Sequence, residues 1–199
     1  LEQLKAEMKA TFKMTMDYYN LFRFKNVKVR YSTHDPKDKE KFVDNPEAWK
    51  FSEAIVKEVI DEMGVDYVLG EGEAAFYGPK IDFQATTLLG REESISTIQV
   101  DFHQPNTFEL TYVGEDGKEH RPWCVHRAPL GAHERFIAFL IEHFGGAFPT
   151  WMAPTQVRLI PVRPDFQPYA EEIAAVLKDE LFRVDIDDSD NSFNKKIRA

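Results

Sequence analysis

A chain of 199 residues, 43% hydrophobic and 30% charged, can fill one good core and part of a second, and its composition is that of a globular protein rather than a disordered tail. With 34 acidic against 25 basic residues the net charge is −9, which excludes coating nucleic acid by bulk attraction but not a local basic groove on an acidic body. The single cysteine excludes an internal disulfide and a thiolate-rich zinc knuckle; with no membrane-length apolar run and no basic-then-apolar leader, a reducing, cytoplasmic setting is expected.

Residues 1–25 place Leu1, Leu4, Met8, Phe12, Met16 and Tyr19 three to four apart, the period of an amphipathic helix, for which packing is reason enough. A strand over 27–32 comes next, and then a polar surface loop, THDPKDKEKFVDNP (33–46). Asn45 and Pro46 then start a helix, as N-cap and first helical residue. Its inner face is Trp49, Ser52, Ile55, Val56, Val59, Ile60 and Met63, and Gly64 ends it. Residues 67–69 read as a short strand.

GEAAFYGPKIDFQA (72–85) turns at Gly78-Pro79, after which Lys80, Asp82 and Gln84 alternate with Ile81, Phe83 and Ala85. This is a half-buried strand whose polar face either meets water or lines a cleft. ISTIQVDF (95–102) alternates more clearly: Ile98, Val100 and Phe102 on one face, Thr97, Gln99 and Asp101 on the other, as a wet sheet surface or a substrate floor requires. Residues 108–113 and 118–126 are expected to form a hairpin about GEDG (114–117).

The stretch HRPWCVHRAPLGAHERFIAFLIEHFGGAFPTWMAP (120–154) begins as a strand with Cys124 and His126 on one face and bends at Pro129 and Gly131. It continues as a helix apolar on nearly every side, stopped by Gly145-Gly146, and such a helix is expected to be buried all round. His133, Glu134 and Arg135 on its first turn make a plausible anion site, with free N–H groups and a planar donor fork. Taken alone, His126 is either a hydrogen-bonded core residue or a ligand, and Arg135 either an ion-pair partner or an anion contact. Cys124 is read as a small buried hydrophobe rather than half of a metal pair, and His103, His120, His133 and His143 form no pattern. Beyond Pro154 a strand (Val157, Leu159, Pro161-Val162), a helix over 167–181, a strand over 184–186 and a helix from 192 to 199 make a βαβ unit with a parallel sheet. The domain boundary is expected at Ala153-Pro154, giving domains 1–153 and 154–199.

HRAPLGAHERFIAFLIEHFGGAFPTWMAP resembles the third signature motif of class II aminoacyl-tRNA synthetases. Together with GEAAFYGPKIDF (72–83), STIQVDF (96–102) and FELTYVGEDGKEHRP (108–122), in that order, it is similar to the threonyl-tRNA synthetase family, from about residue 50 to the end. The resemblance implies an α+β fold: a class II antiparallel sheet with flanking helices, followed by a partial α/β (βαβ) anticodon-binding domain. It implies ATP-dependent activation of threonine and transfer to tRNA(Thr), with Mg²⁺ accompanying ATP. Tyr77 would lie near the amino acid, Lys80 near the nucleotide, and Thr97 and Gln99 on the floor as further substrate or ATP contacts. Arg135 would be the motif-three arginine that reaches ATP, the best candidate for a catalytic role.

His126 would be one of three zinc ligands, which in the family are one Cys and two His. A zinc ion with open coordination takes both the amino and hydroxyl groups of threonine, a discrimination against valine that an apolar pocket cannot achieve. The family's first and second motifs do not appear. The chain therefore reads as the C-terminal part of a catalytic domain plus the start of an anticodon domain, cut from a longer polypeptide. The full-length parent is expected to be a homodimer, and this part alone is not expected to activate threonine. Two departures stand out: Ser94 where the family has a nucleotide-contacting Gln, and Ala132 where it has Ser. An alternative is a synthetase-derived, non-catalytic RNA-binding or regulatory protein, and a prolyl- or histidyl-type relative would have no need of His126 as a ligand.

Overall fold

The computed structural model describes residues 2–87 and 90–198. Leu1, the first apolar position of the expected opening helix, and Ala199, the end of the expected last helix, lie outside the described residues. The chain forms two compact units, the first ending at His143 and the second beginning at Phe144.

In the first unit, α1 (Glu2–Phe22) buries Met8, Phe12 and Tyr19 along one stripe. Strand β1 (Lys28–Thr33) is next, then α2 (Pro46–Met63). The start of α2 is the one its sequence announces: the Asn45 side chain accepts from the Ala48 N–H at 3.1 Å, with Pro46 in the first turn. Strands β2 (Tyr67–Glu71), β3 (Lys80–Thr86) and β4 (Glu92–Asp101), the short α3 (Gln104–Thr107), β5 (Tyr112–Val113), β6 (Glu119–His120), β7 (Cys124–Ala128) and α4 (His133–Phe144) complete it. The main sheet runs β2-β1-β3-β4-β7, with β1 and β2 parallel and every other pair antiparallel. Its apolar face (Val29, Tyr31, Ile81, Phe83, Ala85, Ile98 and Val100) packs under α1 and α2, with Phe12 and Tyr19 edge-on to Phe83 at 5.0 and 5.8 Å.

The β3–β4 ladder carries one irregularity. Its register shifts between Phe83 and Gln84: Phe83 faces Ser96, but Gln84 faces Ser94. Ile95 is the extra residue of a bulge, and Ile95 and Ser96 are both buried despite being adjacent. Ser96 links two elements, since the Tyr19 hydroxyl donates to its Oγ, which in turn donates to the Pro129 carbonyl at 2.5 Å.

Four expectations change. The hairpin about residues 114–117 is only two residues deep on each arm and exposed, because Cys124–Ala128 pairs with β4 instead. Helix α4 is buried on one side rather than all round. Phe136 packs on Phe22 and Phe24 (5.2 and 6.0 Å) and Phe139 on Phe24 (5.0 Å), but Ile137 and Ile141, one turn apart, are 55% and 49% exposed. In the second unit, β8 (Val157–Leu159) ends before Pro161-Val162, Val162 being 61% exposed, and the long helix ends at Asp179 rather than 181.

That second unit otherwise has the expected βαβ order. β8 is followed by a 3-10 turn (Pro164–Phe166), α5 (Gln167–Asp179), β9 (Val184–Ile186) parallel to β8, and α6 (Phe193–Arg198). Small residues, Ala170 and Ala174, form the buried side of α5. No helix among the described residues is long and apolar enough to cross a membrane.

Candidate active site on the polar face of the sheet

Cross-strand register decides which polar side chains become neighbours. In one row across the sheet Ser32 faces Lys80, Lys80 faces Gln99, and Gln99 faces His126. In the next, Arg30 faces Asp82, Asp82 faces Thr97, and Thr97 faces Ala128. With strands about 4.8 Å apart, Lys80 and His126 stand about 10 Å from each other, a span that leaves room for a ligand between them.

Tyr77 is held over this floor by a close backbone approach. Pro79 accepts from Val100 N–H at 3.0 Å and Tyr77 from Phe102 N–H at 3.3 Å. Between them Gly78 lies so near β4 that a Cβ would come within 1.8 Å of the Val100 carbonyl oxygen, so only glycine fits. The Tyr77 hydroxyl then donates to Gln99 Oε1, Gln99 Nε2 donates to Thr97 Oγ1 at 3.3 Å, and the Tyr77 ring lies 5.3 Å from that of His126. Burial first, and the charge of Asp101 second, push the Tyr77 phenol up, so at neutral pH it is a donor.

The two ends of the floor differ in charge. At the β1–β3 end, Asp82 is 2% exposed and one of its oxygens collects Lys80 Nζ (2.8 Å), Arg30 Nη2 (3.0 Å) and Ser32 Oγ (3.2 Å). Two cations on one carboxylate leave a net positive charge there. At the β4–β7 end, Asp101 is fully buried and accepts from the His103 and Gln104 N–H groups (2.9 and 2.8 Å) and from His126 Nε2 (2.8 Å). Among the described residues no Lys or Arg pairs with it. Cys124, opposite Asp101, has its thiol pushed up by burial and then by that same charge.

His126 is therefore not a core residue: its side chain is 47% exposed, with one nitrogen tied to a carboxylate. A carboxylate behind an imidazole is how metal-ligating histidines are commonly held, so this residue fits the role of a ligand. Among the described residues, however, no group of three or more His, Cys, Asp or Glu is arranged to hold a metal.

Arg135 stands apart from the floor. It is exposed on the first turn of α4, and its guanidinium donates to the Ser94 carbonyl at 3.4 Å. That turn is set against the bulge by Gly131, whose Cβ would come within 2.6 Å of the Ile95 carbonyl and whose φ is +60°. Of the residues expected from sequence, Tyr77, Lys80, Thr97, Gln99 and His126 share the floor, and Arg135 reaches its margin at Ser94. Sequence reasoning missed Arg30 and Ser32 and gave no role to Asp82 and Asp101, though it set both on the polar faces. The period-two pattern of 28–32 carried the signal for the first two, but only the β1–β3 register shows what they meet. A cavity of about 550 Å³ opens elsewhere in this unit, lined in part by Leu4, Phe51, Arg121 and Trp123, and includes none of these residues.

Comparison with known proteins identifies the family. The "tRNA synthetase class II core domain (G, H, P, S and T)" family matches residues 1–144, and the "Anticodon binding domain" family matches residues 156–199. The chain is 47% identical to the threonine–tRNA ligase of Geobacillus kaustophilus and 49% identical to that of Staphylococcus saprophyticus, in each case over 99% of its own length. It spans 30% and 31% of those relatives. The crystal structure of the RNA binding domain of threonyl-tRNA synthetase from Cryptosporidium parvum superposes with a TM-score of 0.88 at 34% identity, over 99% of this chain and 48% of that one. A sheet of this order with its polar face exposed, and a family match reaching from the first residue to residue 144, place the chain in the class II tRNA synthetase core family.

Proposed function

We propose that this chain is the C-terminal part of the catalytic domain (1–153) and the beginning of the anticodon-binding domain (154–199) of a threonine–tRNA ligase acting in the cytoplasm. The observation that carries the reading is the polarised floor: paired cations at Lys80 and Arg30, a buried anion behind His126, and neutral hydrogen-bonding groups between. An adenylate-forming reaction requires such a division. The phosphates of ATP, with Mg²⁺, belong at the cationic end, and the amino group of the amino acid belongs near the anionic end. Identity of 47–49% with threonine–tRNA ligases selects threonine among the amino acids the family serves.

In this reading Lys80 neutralises phosphate charge, and Asp82 keeps its ammonium group in place until the nucleotide arrives. Tyr77, Thr97 and Gln99 form a relay of neutral donors and acceptors that orients substrate without adding charge. Arg135 covers the nucleotide from the first turn of α4 and has the most direct role in stabilising charge as the threonine carboxylate attacks the α-phosphate and the α–β bond breaks to release pyrophosphate. His126 would be one zinc ligand, and zinc, if bound there, would supply a Lewis acid beside the threonine side chain. The tRNA(Thr) partner and a homodimer belong to the full-length protein.

Ser94 favours a second reading, a non-catalytic synthetase-derived RNA-binding protein. At that position the margin of the floor offers a short hydroxyl side chain instead of an amide. Threonine-dependent ATP–pyrophosphate exchange by the full-length protein decides between them. The first reading requires exchange with threonine, a large loss with Lys80→Ala or Arg135→Ala, and little exchange with valine. RNA binding without exchange establishes the second.

A further inference from the structure

Asp101 is the most deeply placed charge on the floor, and its two oxygens are committed to different partners. Oδ1 takes the backbone N–H groups of His103 and Gln104, where the chain turns into α3, at 2.9 and 2.8 Å. Oδ2 meets His126 Nε2 at 2.8 Å. An ionised carboxylate has only lone pairs to offer, so the shared proton belongs to the ring: Nε2 carries hydrogen, and in the neutral imidazole the lone pair is at Nδ1. The two amides fix the carboxylate against rotation, because any turn of this fully buried side chain would strip them of their acceptor. The Tyr77 ring at 5.3 Å stands beside the imidazole.

We propose that Asp101 is a positioning residue for this site: it locks His126 in the Nε2–H tautomer and so makes Nδ1 the atom that meets an electrophilic ligand, a divalent cation of the zinc type. The second half of this statement rests on the reading of His126 as a ligand, while the first does not. Asp101 also stands behind the ring as the carboxylate that holds a metal-ligating histidine in orientation, with Oδ2 at 2.8 Å from Nε2. A carboxylate that served only to cap the turn into α3 would leave the tautomer of His126 undetermined.

The consequence of Asp101→Asn is specific. The His103 and Gln104 amides require an oxygen, so the new side chain keeps its carbonyl toward them and turns its NH₂ toward the ring. The ring must then accept at Nε2, and its proton moves to Nδ1. The test is long-range ¹H–¹⁵N correlation on the histidine-labelled 199-residue chain. His34, paired with Glu53 at 2.7 Å, serves as an internal reference for an intact fold. The wild type is expected to show His126 as a single Nε2–H tautomer, Asp101→Asn the Nδ1–H form, and Asp101→Ala a mixture. An unchanged tautomer in Asp101→Asn overturns the proposal. A mixture in the wild type does the same, and needs no variant that folds.

Zinc chloride added to the histidine-labelled full-length protein and its Asp101→Asn variant separates the second half, since this chain contributes only one of the three ligands. Perturbation of the His126 Nδ1 signal, weakened roughly 10–100-fold in the Asn variant, supports the choice of ligand atom. Zinc that moves no His126 signal while the tautomers behave as expected overturns the ligand reading alone.

Discussion

Gly78→Ala tests whether the floor and its cover are one construction. The added Cβ would sit 1.8 Å from the Val100 carbonyl oxygen and 2.9 Å from its carbon. Val100 cannot yield, since it lies in a strand paired on both sides, with a side chain that is 0% exposed. The segment carrying Tyr77 and Pro79 must therefore lift. That removes the Val100 N–H to Pro79 and Phe102 N–H to Tyr77 bonds (3.0 and 3.3 Å) and breaks the Tyr77–Gln99 contact. At about 1 kcal/mol for each backbone bond and about 1–3 kcal/mol for forced overpacking, the first unit should lose roughly 3–5 kcal/mol. With a urea slope of about 1–3 kcal/mol/M, the midpoint should fall by between one and several molar. The indole N–H of Trp49, bonded to the Val43 carbonyl at 2.8 Å inside this unit, gives a resolved NMR signal to track through a urea titration. The same spectra should show the Tyr77 and Gln99 side-chain signals moving without urea. A loss below about 0.5 kcal/mol, with those signals in place, would refute the argument from close approach.

Asp82→Ala leaves Lys80 and Arg30 half-buried without their shared acceptor. A loss of about 2–4 kcal/mol is expected by the same titration, and Asp82→Asn, which keeps a carbonyl for Ser32, should cost less. Cys124, its thiol raised by burial and by Asp101, should be alkylated by iodoacetamide more slowly than a free thiol at pH 8. Its rate should climb only at higher pH, and it should speed up in Asp101→Asn; a rate equal to that of free cysteine would contradict the assigned environment. Ile137→Lys and Ile141→Lys, on the open side of α4, should shift stability by no more than about 0.5 kcal/mol, whereas Phe139→Ala on its covered side should cost about 3–5 kcal/mol. Equal costs on both sides would restore the helix buried all round.

The first-order content of the sheet could be read directly. Alternation in 80–85 and 97–102 assigned faces correctly because each strand has one apolar and one polar side, and period two is unambiguous under that condition. Asn45-Pro46 marked a helix start because capping is local chemistry. What stayed hidden depends on residues far apart in the chain. Arg30 and Lys80 meet only because β1 lies beside β3, and Asp101 finds His126 only through the β4–β7 register. The bulge at Ile95 lies against the Pro129–Gly131 turn, a juxtaposition that no window of sequence contains. The helix over 133–144 misled for a different reason: apolar residues on every side indicate a preference for burial, not whether a partner is there to provide it.

The buried carboxylate of residue 101 also constrains the order in which this unit assembles. Sealing an ionised group from water before its proton donor arrives is among the costliest steps a folding chain can take. The imidazole that relieves it enters on the last strand of the sheet to be synthesised. Water should therefore linger at the end of β4 until β7 docks, and the closing of that corner and the arming of the histidine then become a single late event.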